Sequence, residues 1–291
     1  MHSSILRKKK KKFSEIFLMV MIYASAFLAV MVLAGIIGYV FFKGIKMVTP
    51  EFLTSVTSVL RGTVGIAGNI INTLYIIALT LVVAIPIGVG AAIYLNEYAK
   101  PGMVVRIIEF TTETLAGIPS IIFGLFGMVF FGEILGLKYS VLTGAFTMTI
   151  MVLPLITRNT QEALKTVPDS YRSGALGIGA TKWYMIRTVL IPSAMPGIVT
   201  GAILAVGRIV GESAALLFTA GSGNTLPKAG WGLLRKFTES SGTLTIEMYL
   251  QMNNGKYDVA FGIACVLIVI VLGINFLTKY AAKKLDVNNR A

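Results

Sequence analysis

The sequence predicts an all-α membrane protein with six transmembrane helices and with both termini in the cytoplasm. Three observations lead to this fold class: the composition, the lengths of the apolar segments and the distribution of basic residues. Of the 291 residues, 55% are hydrophobic and only 13% are charged, and the mean hydropathy is +0.79. About a quarter of the residues of a typical soluble domain are charged. The composition therefore excludes an ordinary soluble enzyme.

Six segments have the length and apolar character that a hydrocarbon layer about 30 Å thick requires of a helix. The predicted spans are Ile16–Phe42, Ile70–Tyr94, Thr114–Phe131, Tyr139–Ile156, Ser193–Phe218 and Val259–Tyr280. A run of lysines, Lys8–Lys12, precedes the first span, as at the start of a signal peptide. The apolar stretch nevertheless continues to Phe42, so we expect an uncleaved helix.

The basic residues indicate the orientation of the spans. The chain has 26 Lys and Arg against 13 Asp and Glu, a formal net charge of +13. With a cytoplasmic N-terminus, 17 basic residues fall in cytoplasmic segments and eight in external ones, which is the bias that the positive-inside rule requires. The remaining one, Arg208, lies within the fifth span. We therefore interpret the net charge as a topological signal rather than as a nucleic-acid footprint.

The spans divide the chain into four regions. These are a basic cytoplasmic N-terminus (residues 1–15), the first transmembrane helix with an external loop (16–69), a core domain with five transmembrane helices (70–281) and a cytoplasmic tail (282–291). The core domain contains two connections that are too long to be simple turns. One, residues 157–192, is cytoplasmic, and the other, residues 219–258, is external.

The cytoplasmic connection has helical sequence of its own. Pro168 and Asp169 suit the first turn of a short helix through Ile178, which Gly179 would end. Thr181 is a suitable cap for a second, amphipathic helix. Taken by themselves, these residues fit either an interfacial helix pair on the membrane or a docking element for a cytoplasmic partner. The external connection fits either a solvated loop or a cover over the outer mouth of a pathway.

Several kinds of site are excluded by what the chain lacks. It has a single Cys265 and a single His2, so one chain cannot form a multi-His or multi-Cys metal site or a Ser-His-Asp or Cys-His catalytic arrangement. No G-x-x-x-x-G-K-[ST] segment is present to cradle the phosphates of a nucleotide. We therefore expect no catalytic residue, no metal site and no cofactor in this chain.

Two charged residues in the fifth span are candidate functional residues. A charge at the centre of a membrane helix costs about 2.5–3.5 kcal/mol on insertion scales, and Arg208 and Glu212 are four residues apart, which places them on one helical face. Gly207 and Gly211 beside them would let another helix approach closely. The residues alone leave two alternatives open. Arg208 and Glu212 neutralise each other, or Arg208 offers its planar donors to an anion.

The cytoplasmic connection also resembles a known motif. The stretch from Tyr171 to Thr181, continuing to Pro192, is similar to the EAA loop of ABC-importer permeases: Ser173-Gly174-Ala175 occupies the triplet, Gly179 the glycine position and Pro192 the terminal proline. At the acidic position of the triplet this chain has Ser173 instead of glutamate. Three further stretches resemble the permease subunits of phosphate importers, of the PstA type. They are Asn72-Thr73-Leu74, the run from Ala116 to Gly127, and Gly207-Arg208 with Gly211-Glu212.

This resemblance implies the fold of a type I ABC-importer permease, with a cytoplasmic coupling helix between the fourth and fifth spans. It implies half of the translocation pathway of an ATP-driven phosphate importer. The expected partners are a second homologous permease subunit, a dimeric cytoplasmic ATPase that binds ATP and magnesium, an external phosphate-binding protein, inorganic phosphate and the lipid bilayer, without nucleic acid. The alternatives are a permease for another oxyanion, such as sulfate or molybdate, and an ion-gradient-driven secondary transporter.

The resemblance also implies roles for particular residues. Arg208 and Glu212 would line the substrate pathway. The residues that would couple the chain to the ATPase are Tyr171, Arg172, Ser173, Gly174, Ala175, Gly179 and Pro192.

Overall fold

The computed structural model describes residues 13–58, 63–100, 102–226 and 232–285, and their regular secondary structure is helical apart from one pair of short β-strands. The α-helices are α1 (Phe13–Gly44), α2 (Pro50–Thr54), α3 (Ala67–Ile93), α4 (Met103–Gly117), α5 (Ser120–Gly127), α6 (Val141–Lys165), α7 (Asp169–Gly177), α8 (Lys182–Met185), α9 (Ile191–Val210), α10 (Ala214–Thr219), α11 (Gly232–Arg235), α12 (Leu244–Asn253) and α13 (Tyr257–Leu285). Strands β1 (Val56–Ser58) and β2 (Thr63–Ile66) pair antiparallel. The predicted all-α membrane fold is confirmed. Most of the predicted basic N-terminus and cytoplasmic tail lies outside the described residues.

Short helical turns of other kinds extend or join these helices. The π-helical turns are Tyr94–Tyr98 after α3, Met128–Ile134 after α5 and Ile186–Leu190 between α8 and α9. The 3-10 turns are Ile45–Met47 and Lys236–Thr238.

Five helical segments of the described chain are long and apolar enough to cross a membrane. They are Glu15–Met47, Ala67–Tyr98, Val141–Lys165, Lys182–Val210 and Tyr257–Tyr280. The remaining predicted span is a bent pair, in which α4 meets the segment Ser120–Ile134 at 103°. Ile118 at the bend is extended, with φ −71° and ψ 133°, the conformation that a following proline favours sterically. The prediction of one continuous helix over Thr114–Phe131 is therefore wrong.

The fifth span also differs from its predicted bounds, Ser193–Phe218. Thr181 caps the helix as predicted, its Oγ1 accepting a hydrogen bond from the backbone N–H of Tyr184, but the helix runs on through α8 and α9 to Val210 without a separate interfacial piece. Pro192 lies two residues after the π-helical turn Ile186–Leu190. Such a turn interrupts the regular hydrogen-bond pattern of the helix, so the segment can continue past a proline. At the other end the chain turns at residues 211–213 before α10 begins. Since α6 continues to Lys165, the cytoplasmic connection shortens to residues 166–181.

The core forms where α3, α6 and α9 pack together. Met148, Val152 and Ile156 on α6 are almost fully buried there. A Cβ atom added to Gly201 of α9 would lie 3.0 Å from the Cβ atom of Asn159 on α6, so a small residue lets these two helices come close. By contrast, α1 packs against α13 and leaves its long apolar surface exposed.

The external connection is packed onto the outer end of α3 rather than being purely a solvated loop. The buried Asn72 donates from Nδ2 to the carbonyl oxygens of Gly223 (3.0 Å) and Gly242 (3.1 Å). The hydroxyl of Thr73 accepts a hydrogen bond of 3.0 Å from the backbone N–H of Leu244. The polar residues that open α3 thus hold two parts of the external connection, one near its start and one near its middle.

A buried lysine joins two parts of the same connection. The side chain of Lys236 is fully buried, and its Nζ donates to the carbonyl oxygen of Thr225 (2.7 Å) and to the hydroxyl of Thr225 (3.1 Å). Glu239 lies 4.0 Å from the ammonium group. Burial lowers the pKa of Lys236 from its ordinary value, and the nearby Glu239 carboxylate partly opposes this effect.

Candidate functional site

Arg208 and Glu212 do not form the pair that their spacing predicts. Arg208 lies in the last turn of α9, where a cation is favourable next to the free carbonyl groups of the helix. Because α9 ends at Val210, Glu212 falls in the following turn, and the prediction that both residues share one helical face is wrong. The Oε1 atom of Glu212 accepts a hydrogen bond of 3.0 Å from the backbone N–H of Ala215, in the first turn of α10. Glu212 therefore caps the next helix instead of neutralising Arg208.

Arg208 is exposed, and the described part of the chain gives it neither a hydrogen bond nor a carboxylate within ion-pair distance. Its side chain borders a cleft of about 150 Å³ between α4, α6 and α9. The residues lining this cleft are Thr112, Glu113, Ala116, Met151, Pro154, Leu155, Arg158 and Arg208. We refer to it as the Arg208 cleft. It is largely apolar, and two guanidinium groups, those of Arg158 and Arg208, line it.

In the sequence, Arg158 is only one of the 17 basic residues of the predicted cytoplasmic segments. A signal for its position was present, because Met151, Leu155 and Arg158 follow each other at helical spacing and share one face of α6. The apolar run ends near Ile156, however, and hydropathy alone gives no reason to extend the helix to Lys165.

Arg158 is held by two carboxylates that come from different helices. Its guanidinium lies 3.6 Å from Glu113 of α4 and 3.4 Å from Glu162 of α6. All three side chains are about two-thirds exposed. Exposed ion pairs of this kind contribute about 0–1 kcal/mol, so Arg158 can exchange its carboxylate partners for another anion at little cost.

A second cleft, of about 280 Å³, shares Thr112, Glu113 and Arg158 with the first. It adds charged and polar residues towards the end of α6, namely Glu109, Gln161, Glu162 and Lys165. Charged groups from Arg208 past Arg158 to Lys165 therefore line these two neighbouring clefts.

The predicted cytoplasmic helix is confirmed as α7, which begins after Pro168. Gly179 follows its end with φ +84°, a left-handed conformation that suits glycine. Tyr171, Ser173 and Gly174 on α7 are exposed, and α7 has no fully buried residue. This helix is therefore a projecting element with most of its surface free.

The other predicted coupling residues do not all lie on that free surface. Ala175 and Arg172 are half-buried. Pro192 belongs to the first turn of α9, away from the tip of the connection. Ser173, which occupies the acidic position of the motif, directs its hydroxyl to the carbonyl oxygen of Asp169 in its own helix, at 3.1 Å.

Among the described residues, no group of three or more His, Cys, Asp or Glu side chains is arranged to hold a metal ion.

Comparison with known proteins identifies relatives along nearly the whole chain. The chain is 34% identical over 273 residues to a probable ABC transporter permease protein, YqgI, of Bacillus subtilis (strain 168), covering 88% of this chain and 92% of the relative. It is 30% identical over 281 residues to the phosphate transport system permease protein PstA of Mycobacterium leprae (strain TN), covering 94% of this chain and 88% of the relative.

Solved structures share the fold at lower identity. A bacterial alginate ABC transporter in complex with its alginate-bound periplasmic protein matches with a TM-score of 0.63 and 15% identity, covering 94% of both chains. The MetNI methionine ABC transporter in an inward-facing conformation matches with a TM-score of 0.55 and 19% identity, covering 76% of this chain and 94% of that one. The family model described as the inner membrane component of binding-protein-dependent transport systems matches residues 84–287. The chain therefore belongs to this family and is a multi-pass membrane permease of an ABC importer.

Proposed function

We propose that the chain is a permease subunit of an ATP-driven importer of inorganic phosphate and that it forms half of the translocation pathway. The observation that carries this proposal is the exposed guanidinium of Arg208, which has no partner within the described chain and borders a largely apolar cleft. An ionisable side chain at such a position is expensive unless it serves a ligand or a partner. The relative from Mycobacterium leprae, named a phosphate transport system permease, supports phosphate as the ligand.

The guanidinium group suits a tetrahedral oxyanion. It presents several N–H donors in a fixed plane and stays charged at every physiological pH, so it forms bidentate, charge-assisted hydrogen bonds with phosphate oxygens. A Cβ atom added to the neighbouring Gly207 would meet nothing within 4 Å, so this face of α9 is open. The second permease subunit would cover the open face and complete the site.

Arg158 provides the next positive group along the pathway. A phosphate ion that leaves Arg208 would displace Glu113 or Glu162 from Arg158, because these exposed pairs are weak. The two carboxylates would then rejoin Arg158 and repel the ion towards the cytoplasm. Binding at each step stays weak enough for release, as conduction requires.

The energy would come from partner subunits. A dimeric cytoplasmic ATPase, binding ATP and magnesium, would dock on the exposed surface of α7, and an external phosphate-binding protein would deliver the ion from outside. In this chain the coupling surface would consist of Tyr171, Ser173 and Gly174, which are exposed on α7.

The test is uptake of radioactive phosphate into proteoliposomes that contain the assembled importer, with ATP and magnesium enclosed inside and the phosphate-binding protein added outside. We expect Arg208→Ala to lower ATP-dependent uptake by about tenfold or more, since it removes hydrogen bonds to a charged group. Arg208→Lys retains the charge without the planar fork and should give an intermediate rate. The matched control is Arg106→Ala, which removes an exposed arginine of α4 outside the Arg208 cleft.

Unimpaired uptake by correctly assembled Arg208→Ala complexes would contradict the role of Arg208. Sulfate and molybdate are added as competitors in the same assay. Stronger competition by either of them than by unlabelled phosphate would identify another oxyanion as the substrate.

A further inference from the structure

A half-buried arginine joins α7 to the end of the second span. The Nη2 and Nε atoms of Arg172 donate to Oε1 of Glu97 at 3.1 and 3.2 Å. The Glu97 side chain is only 6% exposed and that of Arg172 19%. Glu97 lies in the π-helical turn that extends α3, 75 residues earlier in the sequence. This contact therefore connects two elements that are far apart in the sequence.

Arg172 also donates hydrogen bonds to backbone carbonyl groups at the end of the fourth span. It donates from Nη2 to the carbonyl oxygen of Leu164 and from Nη1 to that of Val167, both at 2.9 Å. The last carbonyl groups of a helix lack partners within the helix, so Arg172 satisfies two acceptors at and just after the end of α6. One side chain thus bonds α7, the end of α6 and the extension of α3.

The start of the fifth span is attached at the same point. Lys182, the first residue of α8, donates from Nζ to the carbonyl oxygen of Glu97. Its ammonium group also lies 4.7 Å from the centre of the Tyr98 ring, within the range of a cation–π interaction. Glu97 is therefore bonded through its side chain to α7 and through its backbone to the fifth span.

We propose that Arg172 is a positioning residue that passes displacement of α7 to the second and fourth spans through Glu97 and the end of α6. This inference rests on the proposed function, in which α7 docks an ATPase. Nine residues are too few to form a stable helix alone, and α7 has no fully buried side chain. Half-buried side chains such as Ala175 pack α7 against the neighbouring apolar cluster, and the directional bonds of Arg172 add constraints on its distance and its orientation.

Two carboxylates bond the same guanidinium, and this gives a matched pair of variants. Glu97 is nearly buried, whereas Asp169, 3.0 Å from Nη1, is 97% exposed. Glu97→Gln retains the shape of the side chain and removes the charge that holds Arg172 to the second span. Asp169→Asn removes a charge from the same arginine without touching that span, and it serves as the control. Arg172→Lys is a second test variant, which keeps the charge and loses the fork.

The experiment uses the assembled importer in proteoliposomes and measures ATP hydrolysis and phosphate uptake on the same sample. For Glu97→Gln we expect ATPase co-purification and hydrolysis close to wild type and uptake lower by about tenfold, the scale of a lost charge-assisted hydrogen bond. The number of ATP molecules hydrolysed for each phosphate ion imported would rise in proportion. Arg172→Lys should shift this ratio in the same direction, and Asp169→Asn should leave it unchanged.

A second measurement does not depend on the transported ion. Hydrogen–deuterium exchange of the assembled complex is compared with and without ATP. In the wild type, ATP should alter exchange in both α7 and Tyr94–Tyr98, whereas in Glu97→Gln the change should be confined to α7. An unchanged hydrolysis-to-uptake ratio, or an ATP-dependent change at Tyr94–Tyr98 that persists in Glu97→Gln, would overturn the inference. A wild-type complex that shows the exchange changes but imports no phosphate would instead overturn the proposed substrate.

Discussion

At the scale of single residues, the structure separates two charges that the sequence places together. Arg208 and Glu212 are four positions apart, and the helix that would have aligned them ends between them. Arg208 remains open to a ligand, whereas Glu212 is committed to the N-terminus of α10. The two residues therefore call for different tests.

The hydrogen bond that Glu212 accepts requires a side-chain oxygen but not a negative charge. Glu212→Gln keeps an acceptor for the backbone N–H of Ala215, so we expect near-normal thermal stability and uptake. Glu212→Ala removes the cap and should destabilise the protein by about 1 kcal/mol. Both are measured by thermal unfolding in detergent and by uptake in proteoliposomes, with Glu133→Ala, an exposed carboxylate on another segment, as control. Equal loss of uptake in the Gln and Ala variants would show that the charge matters instead.

Arg208 stands out in the sequence because an ionisable residue within an apolar run has a large energetic cost. Arg158 does not stand out, because its position in the cleft depends on how far α6 continues past the apolar run. Arg172 was predicted as a coupling residue, but its bonds to Glu97 could not be predicted because they join positions 75 residues apart. The residue type shows which side chain is costly to place within a membrane, whereas the partner of that side chain depends on tertiary packing.

At the scale of elements, the ends of helices were harder to predict than their existence. The bend at Ile118 and Pro119 follows from proline sterics, but hydropathy averages over such a break because the residues on both sides are apolar. The same averaging extended the fifth span past Gly211 to Phe218. The short helix α7 was predicted closely, because Pro168 and Gly179 mark its two ends.

The packing of α6 against α9 should be sensitive to a single methyl group. A Cβ atom at Gly197 would overlap the Cβ atom of Ala163 on α6, whereas one at Gly273 of α13 would meet nothing within 4 Å. We therefore expect Gly197→Ala to lower the unfolding temperature in detergent. Gly273→Ala is the matched control and should be neutral or stabilising, by about 0.5–1 kcal/mol, because alanine is the better residue in a helix interior. Equal unfolding temperatures for both variants would contradict this packing.

At the scale of the whole molecule, composition and the lengths of the apolar segments were enough to predict a helical membrane protein, whereas the orientation that the basic residues indicate stays a prediction. They could not define a complete site, because the Arg208 cleft is open on the side where Gly207 has no neighbour. The residues that line the other side of such a pathway would belong to another chain. The exposed apolar surface of α1 likewise lacks a covering partner within the described residues.

The predicted orientation can be tested by labelling with a membrane-impermeant maleimide. The chain has a single cysteine, Cys265, which is buried, so the unmodified protein should not react and serves as the control. Ser222→Cys introduces an exposed thiol in the external connection and should react in intact spheroplasts. Ser170→Cys places an exposed thiol on α7 and should react only after permeabilisation. The reverse labelling pattern would show that the orientation in the membrane is opposite to the predicted one.

The continuity of the fifth span has a mechanical consequence. Lys182 and Arg208 lie on one helical segment, Lys182–Val210, and their separation of 26 residues corresponds to about 39 Å along a helix. Such a segment can act as a lever. It would pivot about the contact of Lys182 with Glu97, and its far end carries the guanidinium group of Arg208. A tilt of about 5° over this length would swing Arg208 by about 3 Å, roughly the length of a hydrogen bond. A rotation about the contacts beside Glu97, which displaces the near end of the segment very little, would therefore be large enough to make or break a hydrogen bond between Arg208 and the anion that we propose it binds.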